Sequence, residues 1–170
     1  MNSNNYFSII ICTYNCESYI IETINSVINQ NYKNYELIIV DDGSKDNTLN
    51  LIKNNFNENK YFKLFSNENH GMSYSRNFAI SKTSYEWIVI LDHDDICFPD
   101  RLEKYNNYIN SNNKIDLYFS DMVYFNDQKS FLRFEKQFKK NQAPYNLNLN
   151  KNFGYYNLVQ YGCFIGSSSV

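Results

Sequence analysis

The stretch Trp87 to Asp95, WIVILDHDD, constrains this chain more than any other. Ile88-Val89-Ile90-Leu91 carries no polar residue and is mostly β-branched. That composition suits a strand buried on both faces, as in a parallel sheet covered by helices. The run stops in Asp92-His93-Asp94-Asp95, three carboxylates in four residues. An open α/β sheet puts its ligands in the crevice outside the carboxyl ends of its strands. Carboxylates this close raise one another's pKa unless a cation sits among them. Their oxygens suit a hard divalent cation, Mn2+ or Mg2+, held by one or two carboxylates and completed by water and substrate phosphates. For the four residues taken alone, a solvated acidic turn capping the next helix is the competing account.

The rest of the chain repeats the pattern. Phe7 to Thr13, FSIIICT, predicts a first buried strand, ended by Tyr14-Asn15. Ile20, Ile21, Ile24, Val27 and Ile28 recur at helical spacing, with Asn15 or Ser18 as expected caps. Tyr35 to Val40 predicts a second strand, and it too ends in carboxylates, Asp41-Asp42, ahead of Gly43-Ser44. A helix is expected to start between Ser44 and Asp46, with Leu49, Ile52 and Phe56 inward. Tyr61 to Phe65 predicts a third strand, Ser73 to Ile80 a short helix carrying Arg76, and Pro99 the start of a helix with Leu102, Tyr105 and Ile109 inward. Asp116 to Phe125 predicts a fifth strand. After it the pattern weakens into a basic, aromatic stretch (Lys129 to Lys140) and a polar loop. Strands alternating with helices predict a doubly wound α/β sheet.

Composition removes several function classes. A chain of 170 residues is one domain with a real core, and its net charge of −2 supplies no field for nucleic acid. No apolar run approaches a membrane span, and the N-terminus lacks the layout of a signal peptide, so the cytoplasm is the expected compartment. Cys12, Cys16, Cys97 and Cys163 form no CxxC pair, which argues against zinc or a disulfide framework; Cys12 reads as core. No GxGxxG follows a strand, which disfavours a dinucleotide dehydrogenase. A nucleotidyltransferase needs a glycine-rich basic phosphate loop, which TYNCES does not provide. A phospho-receiver domain needs a lysine at a late strand end that cannot be placed here.

The order FSIIICTYN, YELIIVDDGSKDNT, NHGMSYSRN, WIVILDHDDICFPDRL resembles the family 2 inverting glycosyltransferases of the GT-A fold, over about residues 7–125. The resemblance implies a GT-A (Rossmann-like), mostly parallel sheet flanked by helices, short at its C-terminal end. In this reading residues 1–170 are a single, truncated domain. Residues 7–125 form the nucleotide-sugar-binding part, and 126–170 begin the acceptor-side part.

The same resemblance implies residue roles. Thr13, Tyr14 and Asn15 match the loop that meets the donor's base and ribose, with Glu17 beside it. Asp41 matches the carboxylate that reads the base edge, and Asp42 supports it or caps the following helix. Arg76 matches a basic residue at the donor phosphates, where a guanidinium can bind in two-pronged fashion. Asp92-His93-Asp94 matches the DxD motif, with Asp92 toward ribose or metal and Asp94 as principal metal ligand. Asp95 is expected to anchor the turn, and His93 to face solvent. The implied reaction is a single displacement with inversion, from a nucleotide-diphosphate sugar, UDP first among the donors, to a surface-glycan or lipid-linked acceptor. The catalytic base is expected beyond residue 170, with Asp121 as a weak internal candidate. A nucleotide-sugar-binding fragment without turnover is the alternative. Phe131 to Lys140, FLRFEKQFKK, is a candidate contact with the inner face of the membrane, set against a solvated basic face.

Overall fold

The computed structural model describes residues 4–56, 59–111 and 117, with the backbone of 124–125 and 131–132. Eight elements alternate: β1 (Phe7–Thr13), α1 (Ile20–Ile28), β2 (Tyr35–Asp41), α2 (Thr48–Phe56), β3 (Phe62–Ser66), α3 (Met72–Ile80), β4 (Trp87–Asp92) and α4 (Arg101–Ser111). The four strands make one all-parallel sheet in the order β3-β2-β1-β4. β1 is interior, with Ile9 opposite Leu37 on one side and Val89 on the other. The chain winds outward from β1 to β3, then returns through α3 to place β4 on the far side of β1. That reversal is the topological switch point of a doubly wound sheet.

Strand periodicity sorts the side chains into two cores. Phe7, Ile9, Ile11, Leu37, Ile39, Val89 and Leu91 pack with Ile20, Ile24 and Val27 of α1, Ile52 and Phe56 of α2, and Leu102, Tyr105 and Ile109 of α4. The residues between them, Ile10, Ile38 and Val40, pack against Ala79 of α3, joined by Cys12, Phe65, Phe78, Ile88 and Ile90. The continuous apolar runs are therefore explained by burial on both faces. Burial pushes the Cys12 and Cys16 thiols up to about 11, so both are neutral packing groups.

At the amino edge a polar knot continues the α3 face. Glu36 stands opposite Ser8 in the register and accepts from its hydroxyl (2.7 Å). It also accepts from Lys63 Nζ (2.6 Å) and from the backbone N–H of Ser84 (2.5 Å). Burial pushes the Glu36 carboxyl up, but these partners outweigh it and hold the group below the usual range. A buried charge is tolerated only when partnered in this way.

Several boundaries differ from the sequence expectations. The helix expected to be capped by Asn15 or Ser18 has Tyr19 as its N-cap and no side-chain cap. Asn15 is elsewhere engaged: its backbone is left-handed (φ 49°) and its Oδ1 accepts from the N–H of Lys45 (2.8 Å). α2 begins at Thr48, later than expected, because Ser44 is drawn back to Asp41 while Asp46 accepts the Thr48 N–H (3.0 Å). α4 begins at Arg101 rather than Pro99, since the Pro99 carbonyl accepts from Asn31 N–H (2.8 Å) and the first helical carbonyl is that of Asp100. The fifth strand also changes character. Tyr124–Phe125 (β5) pairs antiparallel with Phe131–Leu132 (β6) in a separate ribbon, and Leu117 is in no strand. The remainder of that expected strand, with Asp121, lies outside the described residues, as does the basic stretch beyond Leu132.

Gly43, at φ +73°, lets the loop after β3 close over the end of β2. A Cβ there would stand 2.8 Å from Asn69 N and 3.2 Å from Asn67 O, both backbone atoms. Gly43→Ala is expected to destabilise the fold by about 1–2 kcal/mol from the left-handed backbone alone, with the clash adding to it. Urea denaturation of the purified variant measures the loss.

Candidate donor-nucleotide site

The carboxyl ends of β1, β2 and β4 lie side by side, so their acidic and polar residues share one edge of the sheet. The two acidic clusters behave differently there. Asp41 is fully buried beside its register partner Thr13, whose hydroxyl donates to it (3.1 Å). Ser44 donates to Asp41 from both its hydroxyl (2.5 Å) and its N–H (3.1 Å). The Ser44 hydroxyl also accepts from Asn15 N–H (3.0 Å), which ties the loop after β1 to the loop after β2. Glu17 strengthens the tie: its carboxylate accepts from Asn47 N–H (2.8 Å), and its own N–H donates to Asp46 (3.1 Å). Glu17 and Asn15 thus build the rim of the loop, and Tyr14, just ahead of Asn15, exposes 42% of its surface.

Asp42 requires a correction. Its carboxylate fastens the entry to α3, not α2, and makes no hydrogen bond to Asp41. Oδ1 accepts from His70 N–H (3.0 Å) and the Ser75 hydroxyl (2.7 Å), and Oδ2 from Gly71 N–H (2.8 Å). The N–H groups at a helix start have no intrahelical acceptor, and the helix dipole favours an anion there. Burial pushes the Asp42 carboxyl up, yet these bonds prevail and keep it below the usual carboxylate range. Because both oxygens are engaged, Asp42 acts by holding α3 against β2.

That hold aims Arg76. Arg76 follows Ser75 directly on α3, and its guanidinium donates to Asp92 Oδ1 (3.2 Å), each side chain roughly a quarter to a third exposed (30% and 25%). Asp94 is exposed and makes no hydrogen bond or ion pair to any described residue. Asp95 is half-buried, its N–H on the Asp92 carbonyl (3.2 Å). Burial first, then Asp92 and Asp94, push the Asp95 carboxyl above its ordinary range, against the opposing pull of Arg101 and His93. His93 is partly buried, and its carbonyl accepts from Thr23 (2.8 Å). The second cluster is therefore short of positive charge, while the first is satisfied. Among the described residues no group of three or more His, Cys, Asp or Glu forms a complete cage for a metal. The donor set fits a cation that takes one or two carboxylates and draws its other ligands from phosphate and water.

Residues 8–168 match the model of the family described as glycosyl transferase family 2. The chain belongs to that family. It is 39% identical over 109 residues to an uncharacterized glycosyltransferase of Haemophilus influenzae, covering 64% of this chain and 44% of that protein. It is 35% identical over 129 residues to the putative glycosyltransferase EpsE of Bacillus subtilis, covering 75% and 46%. Among solved structures it is similar to residues 1–349 of S. aureus TarS in complex with UDP-GlcNAc, at TM-score 0.59 and 30% identity, covering 62% of this chain and 31% of that one. It shares its fold with the mannosyltransferase PcManGT from Pyrobaculum calidifontis in complex with GDP-Man and Mn2+, at TM-score 0.59 and 23% identity, covering 63% and 33%. The chain thus spans less than half the length of these glycosyltransferases, and its parallel sheet is that of the GT-A fold.

Sequence reasoning placed the acidic residues but missed Ser75, the hydroxyl that completes the Asp42 cap. Its signal was available: Ser75 is a polar residue one turn into a helix, four residues before the buried Ala79. Asp42→Asn puts an amide N–H against the N–H of His70 or Gly71 at the entry to α3, and is expected to destabilise the fold by about 2 kcal/mol at neutral pH. Because the folded-state pKa of Asp42 is lowered, its contribution is present above the unfolded carboxylate range and is lost as pH falls through the folded value. Urea denaturation across pH is expected to show the gap between wild type and variant closing below about pH 4.

Proposed function

We propose that this chain is the donor-binding part of a metal-dependent inverting glycosyltransferase that takes a nucleotide-diphosphate sugar, UDP-linked first, and transfers its sugar to a glycan or lipid-linked acceptor. The observation that carries the reading is the arrangement at the switch point: Arg76 paired to Asp92, with Asp94 exposed beside it. Tyr14, Asp41 and Thr13 lie at the ends of the two neighbouring strands. The likeness to TarS, whose structure holds UDP-GlcNAc, supports a uridine donor.

In this reading the exposed ring of Tyr14 stacks on the base, and the Thr13–Asp41–Ser44 unit shapes the wall that the base edge meets. Asn15 and Glu17 keep that wall rigid. Asp94 and Asp92 are the residues that would hold Mn2+ or Mg2+. When bound, the cation supplies charge neutralisation for the diphosphate leaving group. Arg76 exchanges Asp92 for a phosphate oxygen, and its planar fork suits either anion. Arg76 then stabilises charge that develops on the leaving group, which is where an enzyme gains rate. A carboxylate base must take the acceptor's proton. Asp121 remains a weak candidate for it, with the segment after residue 170 of a longer protein as the stronger one. No helix of the described residues is long and apolar enough to cross a membrane. Contact of the basic stretch Phe131 to Lys140 with the membrane's inner face, from the cytoplasm, stays part of the proposal, and co-sedimentation with anionic vesicles tests it.

Calorimetric titration with UDP and with GDP, each with and without Mn2+, tests the site. The wild type is expected to bind one nucleotide with an affinity that rises on adding Mn2+. Asp94→Asn is expected to lose ~10-fold or more of the metal-dependent part and to keep the metal-free part. A folded wild type that binds neither nucleotide under either condition overturns the reading.

A further inference from the structure

We propose that a polar line formed by Thr23 and Ser26 of α1 and by Gln30, two residues past its end, is the positioning element of the acidic turn. The helix supplies no ligand, yet it sets where Asp92 and Asp94 stand. The inference rests on the donor-site reading above. Residues 93–100 connect β4 to α4 without regular structure, and their buried peptide groups need partners. α1 and Gln30 just beyond it supply them in sequence. The Thr23 hydroxyl donates to the His93 carbonyl (2.8 Å), and the Ser26 hydroxyl accepts from Cys97 N–H (3.0 Å). Gln30 Nε2 donates to the Phe98 carbonyl (2.7 Å), and its Oε1 accepts from Leu102 N–H (3.1 Å).

The line is also linked along itself. The Ser26 hydroxyl donates to the Thr23 carbonyl (2.7 Å), and Gln30 Nε2 reaches the Ser26 carbonyl (3.2 Å). Thr23 and Ser26 lie one turn apart on α1, beside the Ile20, Ile24 and Val27 face that packs in the core, and Gln30 follows two residues past the helix end. One stripe therefore fastens α1 to the sheet, and the adjacent line fastens the connection to α1. Thr23 and Gln30 are each only 1% exposed, so water does not replace a lost partner there. Thr23 matters most for the site, because its acceptor is the residue between the two exposed-side carboxylates. The turn's own bond, Asp95 N–H to Asp92 carbonyl, is a longer 3.2 Å.

The test compares wild type, Thr23→Val and Thr23→Ser. Valine keeps the shape and removes the donor, and serine restores it. Amide hydrogen exchange at 93–98 is read without ligand, and UDP and GDP are titrated with and without Mn2+. Thr23→Val is expected to speed exchange at 93–98 and weaken Mn2+-dependent nucleotide affinity about tenfold, as loss of a supporting partner does. Metal-free nucleotide affinity is expected to stay unchanged, and Thr23→Ser to recover both readouts. Ser26→Ala, at a half-buried position that tolerates truncation, is expected to raise exchange at Cys97. Wild-type exchange and wild-type metal dependence in Thr23→Val overturn the proposal, as does an equal loss of metal-free affinity. A wild type with no metal dependence sinks the donor-site reading instead, and the exchange rates then decide by themselves whether Thr23 holds the turn.

Discussion

Everything at the candidate site depends on β1 being hydrogen-bonded on both sides, to β2 and to β4. A parallel sheet brings all its carboxyl ends to one edge, and an interior β1 puts the two acidic strand ends on either side of Thr13. The register then sets the neighbours: Thr13 stands opposite Asp41, and Cys12 opposite Asp92. A slip of one residue in either pairing would turn Ile9 and Ile11 toward α3 and empty the larger core. The hydrophobic pattern that holds the fold in register therefore also holds the acidic residues in place.

The two clusters divide by how their charge is met. Asp41 and Asp42 are buried and saturated with donors from Thr13, Ser44, His70, Gly71 and Ser75, and their negative charge serves the framework. Among Asp92, Asp94 and Asp95, Arg76 pairs with Asp92, and burial, then the other two carboxylates, push the Asp95 carboxyl up. A framework carboxylate needs its charge met inside the protein. A site carboxylate is useful because its charge is met by what binds. The same residue type at two strand ends thus has its charge met in two different ways, and burial tells them apart.

Much of the fold was legible in the residues. β1, β2 and β4 follow from uninterrupted apolar runs that only a doubly covered sheet can bury, and α1 from Ile20, Ile24 and Val27 at helical spacing. The helix starts were less legible. Asn15, Ser44 and Pro99 are all suitable cap or first-turn residues, yet Asn15 and Pro99 are used for contacts with the distant Lys45 and Asn31, and Ser44 turns back three residues to Asp41. Local propensity for a cap is worth about 1 kcal/mol, and a competing hydrogen bond is worth as much. Sequence spacing carries no information on which of the two is taken. The antiparallel ribbon of β5 and β6 was missed for a similar reason, since a short aromatic run serves a parallel or an antiparallel partner equally well.

The sequence by itself determined the sheet, its two-faced burial, the order of the acidic strand ends and the family resemblance they carry. These follow from periodicity and from residue types at strand ends, which are local properties. Only the tertiary structure decided that Asp42 belongs to α3, that Arg76 reaches Asp92, and that Thr23, Ser26 and Gln30 grip the turn seventy or so residues away. Each of these is a hydrogen bond between segments far apart in the chain. Its partners are chosen by the way the helices pack on the sheet, and no spacing along one segment encodes that choice.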